Sequence, residues 1–356
     1  MKTYVGIDLH STNSYFAVVD ESGKRLFHKR IQNDKDLVMN LIKRIEQYGE
    51  ISSLVIESTY NWYWLVDLLQ ENAYDVKLAN PSQIIQYSGK KVTTDKSDAY
   101  HLADLLRLNL IPECSIYPLE YRAIRDLLRS RVFMVEKRTS FKNSLTTKIA
   151  RLTGNQLRGE TAMNLGWEEL KTMIPDKNNL HDIKHFRSHI LSLTNSIKHV
   201  EKVILKQVNT NADFKNLDTV PGIGIILALT IILETGEISR FAKSGNYTSY
   251  CRLVESVRTS NGKIKGINNK KNGNKYLCWA YSEAAVYAVR YYEGPRRYWQ
   301  RKMNKVNNVL AYKSLAAKFS KACYYIMRDN TEFDGKKMFG YESETSRGAD
   351  RAILSD

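Results

Sequence analysis

Residues 4–31 read YVGIDLHSTNSYFAVVDESGKRLFHKRI, and the fold follows from how this stretch divides. Apolar runs at Tyr4–Leu9, Tyr15–Asp20 and Arg25–Ile31 are separated by short polar connections, which predicts three strands in an antiparallel meander. The first run carries Asp8 at its end. Asn33 is placed to cap a helix reaching about Tyr48, with Leu37, Val38, Leu41, Ile42 and Ile45 along one side. A buried-type strand, Ser53–Ile56, follows and ends on Glu57. A helix near Trp62–Asn72, a strand at Tyr74–Leu78 and a further helix from Asp95 complete the order βββαβαβα.

That order is expected of a ribonuclease-H-like α/β domain, in which the first and fourth strands are neighbours. On such a topology Asp8 and Glu57 come from adjacent strands. The last helix lies in Lys91–Asp104, KVTTDKSDAYHLAD, where Asp95 and Asp98 sit three apart on one helical face. Two carboxylates so close raise each other's pKa unless a cation lies between them. Acidic residues in a first helical turn also serve as ordinary caps, so the pair has a structural explanation as well. Four carboxylates converging from three elements suit two divalent ions, Mg²⁺ or alternatively Mn²⁺, that clamp a phosphate between attacking and leaving oxygens. An actin-like or sugar-kinase phosphate turn at GIDLHSTN is disfavoured, because His10 replaces the expected glycine and no second Gly-rich loop follows.

The chain has 356 residues, 54 Lys and Arg against 38 Asp and Glu, and a net charge of +16, which favours a polyanionic partner. No apolar run approaches a membrane span, and Met1-Lys2-Thr3 leads directly into a strand, so neither anchor nor signal peptide is expected and the location is cytoplasmic. Cys114, Cys251, Cys278 and Cys323 have no paired spacing, which fits reduced thiols.

Asp8 in GIDLH, Glu57 in VIEST, and Asp95 with Asp98 in TTDKSDAYHLAD resemble the DEDD signature of bacterial insertion-sequence transposases whose first domain is similar to the junction resolvase RuvC. This family also contains pilin-gene invertases. The resemblance implies a DNA recombinase, in some members guided by an RNA transcribed from the element's flanks. It also implies a serine nucleophile in the second half of the chain. Thr259-Ser260-Asn261-Gly262-Lys263 is similar to the segment that supplies it, making Ser260 the attacking residue and Ser256 the alternative. Around it Arg252 and Glu255 stand where Gly and Pro are usual, Asn261 replaces a Gly, and Cys278 replaces an Arg.

Beyond Pro118 the pattern turns helical. Leu119–Leu152 holds nine Lys/Arg against three acids, predicting an amphipathic helix with a basic outer face that presents Arg122, Arg125 and Arg129 to nucleic acid. Ile183, Phe186, Ile190, Leu193, Ile197, Val200 and Ile204 alternate steps of three and four, the seam of a coiled coil. That seam either closes a hairpin within the chain or joins protomers into a dimer or tetramer. His181, His185 and His189 recur every fourth residue and read as a polar flank rather than a zinc site.

Pro221-Gly222-Ile223-Gly224 predicts a turn whose backbone N–H groups, at Gly222 and Gly224, can hold a phosphate. Lys243–Leu277 carries eight Lys/Arg against Glu255, marking Arg258, Lys263, Lys265, Lys270, Lys271 and Lys275 as phosphate contacts. Arg296–Lys321 has eight more and no acid, with Arg296, Arg297 and Arg301 interleaved with Tyr298, Trp299 and Tyr312 as a surface for DNA or RNA. The expected domains are 1–115, RuvC-like; 116–213, helical coiled coil; 214–330, a mainly helical transposase domain; and 331–356, a loose tail. Two other readings share these features: a ribonuclease-H-fold nuclease or junction resolvase that uses water, and a non-catalytic nucleic-acid-binding protein.

Overall fold

The structure is a computed structural model that describes residues 1–84, 94–207, 212–267 and 272–340. Lys270 and Lys271 lie outside the described residues. The chain divides into two compact units, Met1–Tyr117 and Pro118–Asp356.

The first unit runs β1 (Lys2–Leu9), β2 (Asn13–Asp20), β3 (Arg25–Gln32), α1 (Lys35–Ile45), β4 (Glu50–Glu57), α2 (Tyr63–Glu71), β5 (Val76–Ala79), α3 (Asp95–Arg107) and β6 (Glu113–Cys114). Its strands form one sheet in the order β3-β2-β1-β4-β5-β6, with β1 antiparallel to β2 and parallel to β4. Two details depart from expectation. The α1 cap is Asp34, whose carboxylate accepts from the Leu37 N–H at 2.9 Å, whereas Asn33 spends its side chain on Ser14 and His10. The two-residue β6 is too short to leave a periodic trace.

Side chains alternate across a strand, and this parity positions the carboxylates. Val5, Ile7 and Leu9 of β1, with Leu54 and Ile56 of β4, face the core shared with α1 and α2. Val55 faces the other way, into the cluster with Leu102, Leu105 and Leu106 of α3, and so must Glu57. Asp8 shares that parity on β1. The β1–β4 register pairs Ile7 with Ile56, so Asp8 and Glu57 follow side by side at the strand ends. Gly6 lets α3 come close: a Cβ there would stand 2.0 Å from the Ala99 carbonyl oxygen and 2.5 Å from the Ala103 nitrogen.

The second unit comprises α4 (Leu119–Thr153), α5 (Gly159–Asn164), α6 (Trp167–Met173), α7 (Lys177–Gln207), α8 (Ala212–Asp218), α9 (Ile225–Thr235), α10 (Ser244–Tyr250), β7 (Val257–Ser260), β8 (Lys263–Ile267), α11 (Lys275–Tyr291), α12 (Glu293–Met303), α13 (Asn308–Asp329) and α14 (Gly335–Phe339). Helices α4 and α7 form an antiparallel hairpin, pinned by Arg131–Glu201 at 2.6 Å near one end and by Lys148–Asp182 near the other. Ile183, Ile190, Ile197 and Ile204 are all buried within the chain, so the coiled-coil seam is satisfied without a second protomer. Leu145, Ile149, Ile183 and Ile190 form a separate cluster with α5 and α6, while Leu128 and Ile204 of the hairpin share a core with Leu217, Leu277 and Phe319. The loose tail expected from Thr331 is also corrected over its described part: Phe333 and Phe339 pack into this core, and Phe339 is 8% exposed.

Candidate active site

Asp8 is the penultimate residue of β1 and 7% exposed. Asp95 begins α3 but does not cap it. Thr94 does, accepting from the Ser97 N–H while the Ser97 hydroxyl returns to the Thr94 N–H at 3.0 Å. Neither aspartate is therefore the cap, although both stand in the first turn, and the Asp95 carboxylate reaches the His10 ring.

The structure brings Asp8 and Asp95 together with a residue that sequence reasoning did not place in the site. His10 Nε2 lies 3.2 Å from Asp8 Oδ2 and 3.4 Å from Asp95 Oδ1. One potential ligand atom from each of the three residues lies within 4.8 Å of the others. Glu57 and Asp98 are not part of that set, but Asp98 acts on Asp8 and Asp8 acts on Glu57 electrostatically. Burial raises the Asp8 carboxyl above its ordinary range; His10 pulls it down, and Asp95 and Asp98 push it up. Burial likewise raises Glu57, with Asp8 and Asp98 adding to the shift. Tyr15, opposite Asp8 in the β1–β2 register, has its phenol raised by burial and by Asp95. Such mutual repulsion among half-buried acids is the electrostatic condition that a divalent cation relieves. Oxygen donors with one imidazole suit Mg²⁺, Mn²⁺ or a borderline divalent ion. The sequence signal for His10 is its position two residues after Asp8.

Ser260 lies in the second unit. It ends β7 and is exposed at the tip of a β-hairpin, where it pairs with Lys263. Asn261 and Gly262 have φ values of +52° and +71°, the left-handed pair of a type I′ turn. The basic stretch between α10 and α11 therefore contains a two-stranded ribbon with its own turn chemistry. Ser256 is half-buried and precedes the strand. Arg252 adopts φ +57°, a conformation that favours glycine; its Nε donates to the Gly273 carbonyl at 2.9 Å, which helps to hold it there.

The basic residues separate into two groups. Lys263, Lys265, Lys275 and Arg301 are exposed. The Arg258 backbone belongs to β7. Arg122 and Arg125 are 4% and 8% exposed, which corrects their assignment to an open outer face of α4. Arg129 is engaged internally, donating from Nε and Nη2 to both oxygens of buried Glu234 at 2.5 and 2.8 Å. Arg296 donates to the Val289 and Arg290 carbonyls at the end of α11, and Arg297 pairs with Glu293. Tyr298, Trp299 and Tyr312 are half-buried against the core instead of forming an open stacking platform. Gly222 is explained by packing, since a Cβ would meet the Ala284 carbonyl oxygen at 2.3 Å, whereas Gly224 starts α9 with open space beside it. His181 and His185 approach through their Nε2 atoms at 3.1 Å while His189 stacks on Phe141.

Comparison with known families finds two matches, the first of which covers the first unit and continues along α4. Residues 5–152 match the IS110-type DEDD family model described as "Transposase", and residues 214–300 match the model described as "Transposase IS116/IS110/IS902 family". The chain belongs to this family of insertion-sequence transposases. It is 24% identical over 315 residues to "Putative transposase y4qE" of Sinorhizobium fredii, covering 86% of this chain and 76% of that protein. It is 31% identical over 133 residues to the transposase for insertion sequence element IS1533 of Leptospira borgpetersenii, covering 36% and 38% respectively. It is 20% identical over 287 residues to the transposase for insertion sequence element IS1111A of Coxiella burnetii, covering 77% and 74%. Among the described residues, no helix is long and apolar enough to cross a membrane.

Proposed function

We propose that the protein cuts and rejoins DNA strands by metal-dependent phosphoryl transfer, with a ribonuclease-H-like first unit and Ser260 as the nucleophile. The observation that carries this reading is the meeting of Asp8 and Asp95 where the central strand ends beneath the start of α3, with Glu57 and Asp98 electrostatically coupled to them. Asp8, Glu57, Asp95 and Asp98 would hold Mg²⁺ or Mn²⁺, which supplies positive charge beside the scissile phosphate. The Ser260 hydroxyl attacks phosphorus, the bond to the neighbouring nucleotide oxygen breaks, and that oxygen leaves as a hydroxyl with the serine proton. The phosphoserine link keeps the energy of a phosphodiester, so a hydroxyl on another strand can reverse the step and release Ser260.

Exposure of Ser260 at a hairpin tip supports its access to a strand. Exposed Lys263, Lys265, Lys275 and Arg301, with Arg258, Lys270, Lys271 and the α9 start at Gly224, are the proposed phosphate contacts. The reading extends to a guide RNA on the same basic surface. It also extends to assembly as a dimer or tetramer through the outer face of the α4–α7 hairpin, where Phe133 and Leu191 are each 57% exposed.

The test is cleavage of labelled element-end DNA on denaturing gels. Asp95→Ala retains DNA binding and loses cleavage by roughly 1,000-fold or more, while wild-type chain yields a protease-sensitive DNA adduct that Ser260→Ala abolishes. Wild-type rates in Asp95→Ala remove that residue from the site; cutting without an adduct transfers the reaction to a water-using nuclease.

A further inference from the structure

His10 is the member of the Asp8–Asp95 cluster that a purely carboxylate site does not need. Its backbone is held from three sides. The His10 N–H donates to the Asn13 carbonyl at 2.9 Å, and the His10 carbonyl accepts from the side-chain amides of both Asn33 and Asn61 at 2.9 Å. The amide oxygens of those two asparagines are engaged in turn, accepting from Ser14 Oγ at 2.6 Å and from Thr59 Oγ1 at 2.9 Å. Asn33 follows β3 and Asn61 lies four residues beyond Glu57, so the turn bearing His10 is tied to two separate edges of the site. His10 is not among the described residues with positive φ, so nothing in its backbone calls for the glycine of phosphate turns.

The side-chain geometry is that of ligands sharing one ion. Donors cis to each other on an ion about 2.1 Å away stand roughly 3 Å apart, and trans donors roughly 4.2 Å apart. The imidazole Nε2 is 3.2 Å from one aspartate oxygen and 3.4 Å from the other, with all three donors inside 4.8 Å. A histidine that merely neutralised the two acids could use either ring nitrogen and many orientations. Here one nitrogen is aimed between both carboxylates, and the ring remains 43% exposed on its outer side, leaving room for water or a phosphate oxygen to complete the sphere.

We infer that His10 is a direct nitrogen ligand beside Asp8 and Asp95, and that it tunes this position toward Mn²⁺ over Mg²⁺. The inference rests on the carboxylate site binding a divalent ion, and it specifies which ion and through which atom. Imidazole nitrogen suits Mn²⁺ and later first-row ions better than Mg²⁺, which prefers oxygen and retained water. The competing role is a built-in counter-charge that leaves when an ion arrives. The two roles predict opposite signs when His10 is removed.

The experiment uses full-length protein titrated with Mn²⁺ and read by electron paramagnetic resonance, with Mg²⁺ as competitor, for wild type, His10→Ala and His10→Gln. As a nitrogen ligand, His10 gives bound Mn²⁺ a ¹⁴N coupling that both variants lose. Mn²⁺ then binds about 10-fold or more weaker in both variants, while Mg²⁺ affinity moves less than threefold. Unchanged metal-free melting of His10→Gln separates ligand loss from misfolding. Tighter binding of both ions in the variants, or wild-type Mn²⁺ without ¹⁴N coupling, overturns the inference and leaves the carboxylate reading standing. A wild-type chain that holds no divalent ion overturns both.

Discussion

Asp8 and Ser260 both sit at the ends of strands, but the strands differ in every respect that governs precision. Asp8 is the next-to-last residue of β1, an interior strand of a six-stranded sheet, paired on both sides and covered by α3. Ser260 ends one half of an isolated two-stranded ribbon whose tip is exposed. A two-stranded hairpin is marginal on its own, so the ribbon depends on how its base is fastened to the helices. Metal-ligating groups need placement within a fraction of an ångström, which a sheet interior supplies. A nucleophile that must reach a bound strand benefits from an extended, accessible mount whose final position the substrate helps to set.

The largest expected effect tests that fastening. At the ribbon's exit, the Asn274 amide donates to Glu234 Oε2 at 2.7 Å, the same carboxylate that Arg129 grips, and Asn274 N–H bonds the Tyr250 carbonyl at 2.6 Å. Glu234→Ala leaves Arg129 and Asn274 without their shared acceptor in a buried setting. Chemical denaturation followed by circular dichroism should show a loss of about 3 kcal/mol in the second unit, with cleavage lost alongside. A change below 0.5 kcal/mol would mean that the ribbon is held by something else.

Gly6→Ala comes next and acts on the rigid side. The new methyl meets α3 backbone, so the helix must move, with an expected cost of about 1–3 kcal/mol. Because Ala99 follows Asp98, the shift displaces the carboxylates. Divalent-ion binding measured by calorimetry should weaken by at least 10-fold while DNA binding persists. Retained ion affinity would show that the site tolerates more play than its sheet mounting implies.

Glu57→Gln gives the smallest effect, and of opposite sign. Burial, Asp8 and Asp98 raise the Glu57 pKa, so the folded chain keeps this proton after the unfolded chain has lost it. Stability therefore falls as pH climbs from the ordinary carboxylate range through the raised value, and the deficit persists at neutral pH. Removing the charge should raise the metal-free melting temperature by about 2 °C while abolishing cleavage. An unchanged or lower melting temperature would indicate that Glu57 is paired in the apo protein.

Much of the first unit was legible because its signals are local. Alternation in β1 and β4 sets which residues share a face, and the adjacent-strand order follows from βββαβαβα, so Asp8, Glu57, Asp95 and Asp98 could be named before any coordinates. The misreadings are contacts between distant segments. Asn33 has the chemistry of a cap, but its amide is held by Ser14 and by the His10 carbonyl, far away in sequence. Arg122, Arg125 and Arg129 have the charge of a DNA face, yet the first two are buried and the third is gripped by Glu234. Phe333 and Phe339 lie in a segment of mixed charge that gave no periodic cue for their burial.

Sequence alone determined the order of elements, the parity that aligns Asp8 with Glu57, and the excess of cationic residues, because each depends on neighbours within a few positions along the chain. Tertiary structure alone decided that His10 enters the carboxylate cluster, that Gly6 admits α3, and that the coiled-coil seam closes within one chain. Those outcomes depend on close packing between segments far apart in sequence, where a single methyl group or helix roll changes which atoms can meet.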